Sequence, residues 1–441
     1  MRKFRIAAWL IAAACLPAAA DTLQFSLAQA YVSNLFQTSV SGPDWVTVTG
    51  LSWDKSLSSF SLFAAAEYSR LWENSGLSDL DLSVGADYVK SLGSKTALYF
   101  ALEGQAVRFG EDFVDFNRSG GRFTASLKSY LSPSSILKAT AVTEYRAYSF
   151  SPFDFVSQGA ALSLDKYFAS RTTLKAELSW GYKYFLHPWL TDSGDGSEET
   201  ETADPASSLT PAALGEGPGK GDAGQSGQSG ESGGGSGNID ASGKGPGSPK
   251  SENSGKGVQN ASWRGERVGG YAYASMEGGG SGIQVAAFNG TIAQGLGDRV
   301  GLRLAGVWQW TLSGRNPFTT VEEFTMIENP TYDTFAWQGF GWNAQATALL
   351  PWNIELRLGY TWTDKEFPGI EALGLDGLAL GATRRDRRGQ IEARLKKTFA
   401  HWTAVLTGAY IRNGSNDPLY EWSGPAVSLS LDWHPGPGKK P

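Results

Sequence analysis

From Leu174 to Tyr184 the chain reads Leu-Lys-Ala-Glu-Leu-Ser-Trp-Gly-Tyr-Lys-Tyr, and this alternation constrains the fold more than any other feature. Leu174, Ala176, Leu178, Trp180, Tyr182 and Tyr184 fall on one side, and Lys175, Glu177, Ser179, Gly181 and Lys183 on the other. Successive side chains of a β-strand point to opposite faces, so the stretch has one apolar and one polar face. A helix, with its period of 3.6, would scatter the charges around its circumference. The pattern recurs. Leu80, Leu82, Val84 and Ala86 alternate with Asp81, Ser83, Gly85 and Asp87. Ile354, Leu356, Leu358, Tyr360 and Trp362 alternate with Glu355, Arg357, Gly359, Thr361 and Thr363, and Val427, Leu429, Leu431 and Trp433 with Ala426, Ser428, Ser430 and Asp432.

Reading the chain this way predicts strands over 23–36, 45–53, 57–72, 80–90, 96–109, 122–131, 136–148, 160–168 and 173–185. After a long insertion come 282–292, 300–312, 337–349, 354–363, 390–399, 403–412 and 426–433, about sixteen strands in all. Nine precede the insertion and seven follow it, so the two parts make one even-numbered barrel more naturally than two separate ones. Tight turns at 54–56, 91–95, 132–135, 169–171, 297–299, 351–353 and 400–402 alternate with longer connections at 110–121, 313–336, 364–389 and 413–425. Short turns at one end and long loops at the other are the habit of membrane-spanning barrels. A soluble antiparallel sandwich alternates in the same way, but it has no reason for this asymmetry.

The first twenty residues carry Arg2, Lys3 and Arg5, then an apolar run from Ile6 to Leu16, then Ala18-Ala19-Ala20. That order marks an export signal cleaved before Asp21. No later segment reaches the roughly 18 apolar residues of a membrane helix. Cys15, the single cysteine, lies inside the signal, so the mature chain has no disulfide framework unless Cys15 is kept as a lipidation site. Without the signal's three cations the chain has 35 Lys and Arg against 44 Asp and Glu, a net charge of −9, which argues against a nucleic-acid partner. Sixteen Trp, sixteen Tyr and twenty-two Phe suit alternating strands with interfacial girdles.

Between residues 191 and 262 the composition changes to Gly, Ser, Pro, Asp, Glu and Lys, with hardly an apolar side chain to bury. This predicts a disordered loop on the outward side. The organisation expected is a signal peptide (1–20), nine strands (21–190), that loop (191–262), seven more strands of the same barrel (263–433) and a short tail (434–441).

In these features the chain resembles a Gram-negative outer-membrane β-barrel, similar to the porins in size. The resemblance implies an all-β fold, a closed antiparallel transmembrane barrel of about sixteen strands in the cell outer membrane. It implies outer-membrane lipid as a partner, with lipopolysaccharide at the rim, and the barrel assembly machinery during biogenesis. Such barrels usually end on an aromatic residue; here Trp433 is followed by residues 434–441. No oligomeric state follows.

Opposite the apolar rows stand Lys138, Glu144, Arg146, Lys175, Glu177, Lys183, Arg303, Glu355, Arg357, Glu392, Arg394 and Lys396. They are expected to line a pore, either pairing to fill it or biasing which solutes pass, because a sixteen-strand barrel is wide enough for water. Glu322 and Glu323, in a loop that also holds Phe324, Met326 and Ile327, are expected to fold inward and form a constriction. Arg384, Arg385, Arg387 and Arg388 are placed at the outer rim, facing lipopolysaccharide phosphates or the solvent of the mouth. No phosphate-cradling glycine motif or metal-ligand spacing is found, so no cofactor or metal is expected. The three histidines, His187, His401 and His434, fall at a strand end, in a turn and in the tail, and no catalytic set appears. The function expected is a porin-like channel for small polar or charged solutes rather than an enzyme. The alternatives are a structural or surface-interaction barrel with a plugged lumen and, behind it, a barrel hydrolase using His187.

Overall fold

The computed structural model describes residues 22–35, 37, 39, 42–149, 151–187, 282–314, 335–376 and 378–433. The expected export signal, the Gly/Ser-rich insertion, the loop carrying Glu322 and Glu323, and the C-terminal tail lie outside them.

Sixteen strands form one closed antiparallel barrel. In chain order they are β1 (Thr22–Val32), β2 (Asp44–Leu57), β3 (Phe60–Leu71), β4 (Asp79–Ser91), β5 (Thr96–Phe109), β6 (Arg118–Ser132), β7 (Ser135–Tyr148) and β8 (Phe155–Tyr167). They continue as β9 (Thr172–Phe185), β10 (Gly282–Leu296), β11 (Val300–Ser313), β12 (Gln338–Leu350), β13 (Ile354–Leu373), β14 (Ala379–Thr398), β15 (Trp402–Ser415) and β16 (Trp422–Trp433). Each pairs with its sequence neighbour, and β1 closes the ring on β16 from Phe25↔Trp433 to Val32↔Ala426. Closure leaves no edge strand, so every ladder N–H and C=O in the wall can be paired without water.

The ladder registers put the apolar rows on one face all the way round. Leu178 lies beside Leu162 and Phe288, and Phe288 beside Trp308, which faces Phe340. These side chains point outward and are exposed, Leu178 at 60% and Trp308 at 53%. Outward aromatics gather in two bands. The band toward the long connections holds Tyr31 against Trp45 (5.2 Å) and the run Trp310, Trp308, Phe340, Trp362, with neighbouring ring centroids 5.7, 6.1 and 6.2 Å apart. The other band holds Phe60, Tyr88, Phe168 and the pair Trp402–Trp433 (6.4 Å). An exposed apolar surface between two aromatic rings is a wall built to meet hydrocarbon.

At the long-connection end, loop segments fold over the inward face and form the buried apolar material of the barrel. Leu35, Val46, Leu71, Leu77 and Phe113 make one cluster; Phe153, Phe155, Phe185, Ile283 and Val285 make a second. Phe116 joins them, 6.2 Å from Phe113 and 5.7 Å from Phe153 between ring centroids. Buried carboxylates pin these connections. Asp44 accepts the backbone N–H groups of Trp72, Glu73 and Asn74, Asp154 accepts that of Tyr148, and Asp417 accepts those of Leu373 and Leu419.

Several boundaries differ from the alternation reading: β6 starts at Arg118 rather than 122, β8 at Phe155 rather than 160 and β16 at Trp422 rather than 426, and β10 runs on to Leu296. The first strand ends at Val32 rather than 36. The turn expected at 54–56 falls at Ser58 and Ser59, because Asp54, Lys55 and Ser56 keep the alternation until Leu57 pairs with Phe60; Ser58 takes the left-handed backbone, φ 57. Most of the loop expected at 364–389 is strand: β13 and β14 run on as a hairpin beyond the neighbouring strands. Charged residues made the segment look like a loop, but opposite charges sit across from one another, Asp364↔Arg387, Lys365↔Asp386 and Glu366↔Arg385, which favours pairing.

Candidate functional site: the charged lumen wall

Residues opposite the apolar rows point into the barrel, and on β3 to β5 those that carry charge are acids. Glu67, Asp79, Asp81, Asp87 and Glu103 share this inward face, with Asp81 between Glu67 on β3 and Val107 on β5 in the ladders. The Tyr99 hydroxyl donates to Asp87 (2.8 Å) and the Gln105 amide to Asp81 (2.7 Å), so neutral donors hold two of the carboxylates in place. No Lys or Arg stands on the inward face of β1 to β5 among the described residues.

Cations take over at β6. Arg122 lies between Glu103 and Glu144, and Lys128 lies beside Lys138. Farther round, Arg303 on β11, Arg357 on β13 and Arg394 on β14 face inward, Arg357 directly beside Arg394. In a ring of sixteen, eight strands separate opposite sides, so β11 to β13 lie across the lumen from β3 to β5. The acidic sector therefore looks across at Arg303 and Arg357. The wall between them, from β15 through β16 and β1, is lined mostly by small or uncharged side chains such as Thr407, Ala409, Ser428, Ala426, Ser26 and Ala28, with Asp432 beside Ser26.

Several of the sequence-expected residues pair along their own strand, two positions apart on one face: Arg146 with Glu144, Lys175 with Glu177 (2.8 Å) and Arg357 with Glu355 (2.9 Å). Glu177 also accepts from Asn289, and Glu392 from Gln390. Glu67, Lys138, Lys175 and Arg303 remain exposed although they point inward, so water reaches the interior at their levels. Lys183 is different. It is buried at the collar end, its ammonium 4.2 Å from the Phe155 ring and 5.0 Å from Phe185. A recess of about 470 Å³ lies against β7 to β11, lined by Gln158, Asn289, Gln309, Phe335 and Trp337 among others. The Gln309 amide donates to the Trp337 carbonyl (2.6 Å) and ties the strap at 335–337 to the wall.

The arginine cluster divides between the two faces. Arg384 and Arg388 point inward: Arg384 is buried in a bidentate pair with Asp386 over the Tyr420 ring, and Arg388 donates to Gln37 near Trp422. Only Arg385 and Arg387 point outward, so of the four only these two can face lipopolysaccharide, and both bind Asp364. The hydrogen bond from Arg385, with the charge of both guanidiniums, holds the Asp364 carboxyl below its ordinary range. It stays ionised just above the upper aromatic band.

Glu322 and Glu323 lie outside the described residues. His187 stands at the collar end, its Nε2 3.5 Å from Asp154, while His401 sits in a short turn at the opposite end. Among the described residues no three His, Cys, Asp or Glu side chains converge as metal ligands would. The acidic sector is what sequence reading missed. Asp81 and Asp87 were visible as the polar half of an alternation, but the Ala64-Ala65-Ala66 run of β3 hides the parity that would have placed Glu67 beside them.

No protein-family model matches the sequence, and no curated protein sequence does. Among solved structures, CdiB from Acinetobacter baumannii is similar at 9% identity and a TM-score of 0.49, over 93% of this chain and 60% of that one. OccAB1 from the same organism is 9% identical with a TM-score of 0.44, over 94% and 95%. OprD from Pseudomonas aeruginosa is 9% identical with a TM-score of 0.40, over 94% and 94%. The chain spans about 60% of the length of CdiB. Nothing about solute or activity follows from likeness at this level.

Proposed function

We propose that this chain is an outer-membrane channel that passes small polar or charged solutes. One observation carries the reading: inward charged residues are exposed or half-buried along much of the wall and unevenly distributed, acids alone on β3 to β5 and, across the lumen, Arg303, Arg357 and Arg394 with Glu355 and Glu392 among them. Ion pairs hold parts of the wall on β7, β9 and β13, but the acids of β3 to β5 have no cation on the inward face of their own strands, and this imbalance makes a lateral field that orders dipolar solutes in transit. The apolar outer wall between two aromatic bands supports the membrane placement, and the order of residues 1–20 supports export.

Purified folded protein in a planar bilayer tests this. Ion conductance is expected, with a reversal potential measurable under a salt gradient. Glu67→Gln, Asp81→Asn and Glu103→Gln together should move that potential toward anions. An unchanged potential would put the acids away from the permeation path. A specific feature favours a second reading, a surface barrel with a closed mouth: the apolar collar that Phe113 and Phe116 extend between two wall clusters. For that barrel, correctly folded protein conducts nothing.

A further inference from the structure

Above the upper aromatic band, on β13 to β15, the outward wall changes from apolar to cationic. Arg385 and Arg387 project outward from β14, and Arg412 projects outward from β15. Arg387 pairs with Gly414 and Gly389 with Arg412, so Arg412 is the diagonal neighbour of Arg387 on one face. Diagonal and next-but-one positions on a sheet lie about 7 Å apart, so the three arginines form a compact triangle. Below them on the same face are Trp362, Tyr360, Ile391 and Tyr410, the last two exposed at 62% and 53%. The outward acids near the triangle are Asp364 and Glu366 on β13 and, on the other side, Glu421, extended and exposed just before β16.

Asp364 holds two corners in place. Arg385 binds it through two nitrogens, at 2.6 and 2.7 Å, and Arg387 through its Nε at 3.3 Å. A guanidinium carries five N–H donors, and this arrangement leaves most of them directed away from Asp364. Arg385 and Arg387 remain exposed, with side chains at 52% and 63%. Arg412 is exposed and has no ion-pair partner among the described residues. Planar forks fixed by a carboxylate at their centre suit phosphate, which takes parallel N–H donors from arginine.

The geometry points to a binding site on the outer wall for a phosphorylated lipid head group of the outer leaflet, held by Arg385, Arg387 and Arg412 and oriented by Asp364. Position selects the lipid over a free anion. The triangle stands at the height where hydrocarbon gives way to head groups, and the aromatics beneath it present a surface on which the acyl chains of the same molecule lie. This site rests on the outer-membrane placement but not on conductance, so a non-conducting barrel leaves it standing.

Folded protein in detergent micelles is titrated with bisphosphorylated lipid A and with its dephosphorylated counterpart, and bound lipid is read by native mass spectrometry. The bisphosphorylated form is expected to bind at least about tenfold tighter. Arg385→Gln, Arg387→Gln and Arg412→Gln together should bring the two lipids to the same level. Arg412→Gln alone should weaken the phosphorylated lipid about fivefold, and it disturbs no ion pair, so it serves if the triple variant fails to fold. Arg70→Gln, on the outward face of β3, should change nothing. Inorganic phosphate at the lipid's concentration should leave the bound lipid in place; displacement would make this a free-anion site and overturn the assignment. Equal binding of the two lipids, or full binding by Arg412→Gln and the triple variant, would overturn it as well.

Discussion

Asp44 shows what a single side chain does at the collar. It is 1% exposed, and its two oxygens accept three consecutive backbone N–H groups, from Trp72, Glu73 and Asn74, at 2.9, 3.1 and 2.9 Å. The chain leaves β3 there and must turn back into β4 without ladder partners, so the carboxylate supplies acceptors that the sheet no longer provides. Asp44→Ala would leave those donors without partners in a dry environment, at a cost of about 3 kcal/mol. A urea unfolding free energy in micelles lowered by that amount, with faster amide exchange at 72–77, is the expected result. A loss of unfolding free energy below about 1 kcal/mol would mean that water replaces the carboxylate there.

At the scale of elements, the β13–β14 hairpin is separable from the barrel beneath it. The pairing of β13 with β12 ends at Glu366, and that of β14 with β15 ends at Asp386, so the part beyond them adds nothing to closure of the ring. It is held by Phe367 and Ile370, packed on Ala336 and Trp337, and by Arg384 over Tyr420. Its tip exposes Leu375 at 76%, with Leu378 and Leu380 at 53% each. Replacing 367–384 by a two-residue Asn-Gly turn should retain the folded, heat-modifiable form on gels. Stability should fall by about 3 kcal/mol for the lost apolar burial. Loss of the folded form would show that the extension takes part in forming the ring rather than standing on it.

For the whole molecule, the question is whether the barrel depends on the long insertion between its ninth and tenth strands. The ladder joining β9 to β10 is continuous from Thr172↔Gln294 to Tyr184↔Gly282, so the ends of the two strands already lie side by side. Closing them through a shorter connection lowers the entropy cost, which grows only slowly with loop length. Excision of 193–254 is therefore expected to leave gel mobility and single-channel conductance as they are. A variant that no longer folds would make the insertion part of assembly.

Parity by itself determined the strands and the side of the wall on which each residue stands, because side-chain direction along a strand is a local property with a period of two. Leu178 outward and Glu177 inward could be read from eleven consecutive residues. The even strand number and the alternation of short and long connections were legible for the same reason. What only the tertiary structure decided depends on contacts between distant parts of the chain. Closure of β1 on β16 sets Asp81 and Glu103 across from Arg303 and Arg357, an opposition that no local spacing encodes. The side-by-side pairing of Asp364 with Arg387 turned an apparent loop into a hairpin and sent Arg384 and Arg388 to the face opposite Arg385 and Arg387. The collar joins Phe113 to Phe153 across unrelated connections, since burial there depends on which loops the closed ring brings together.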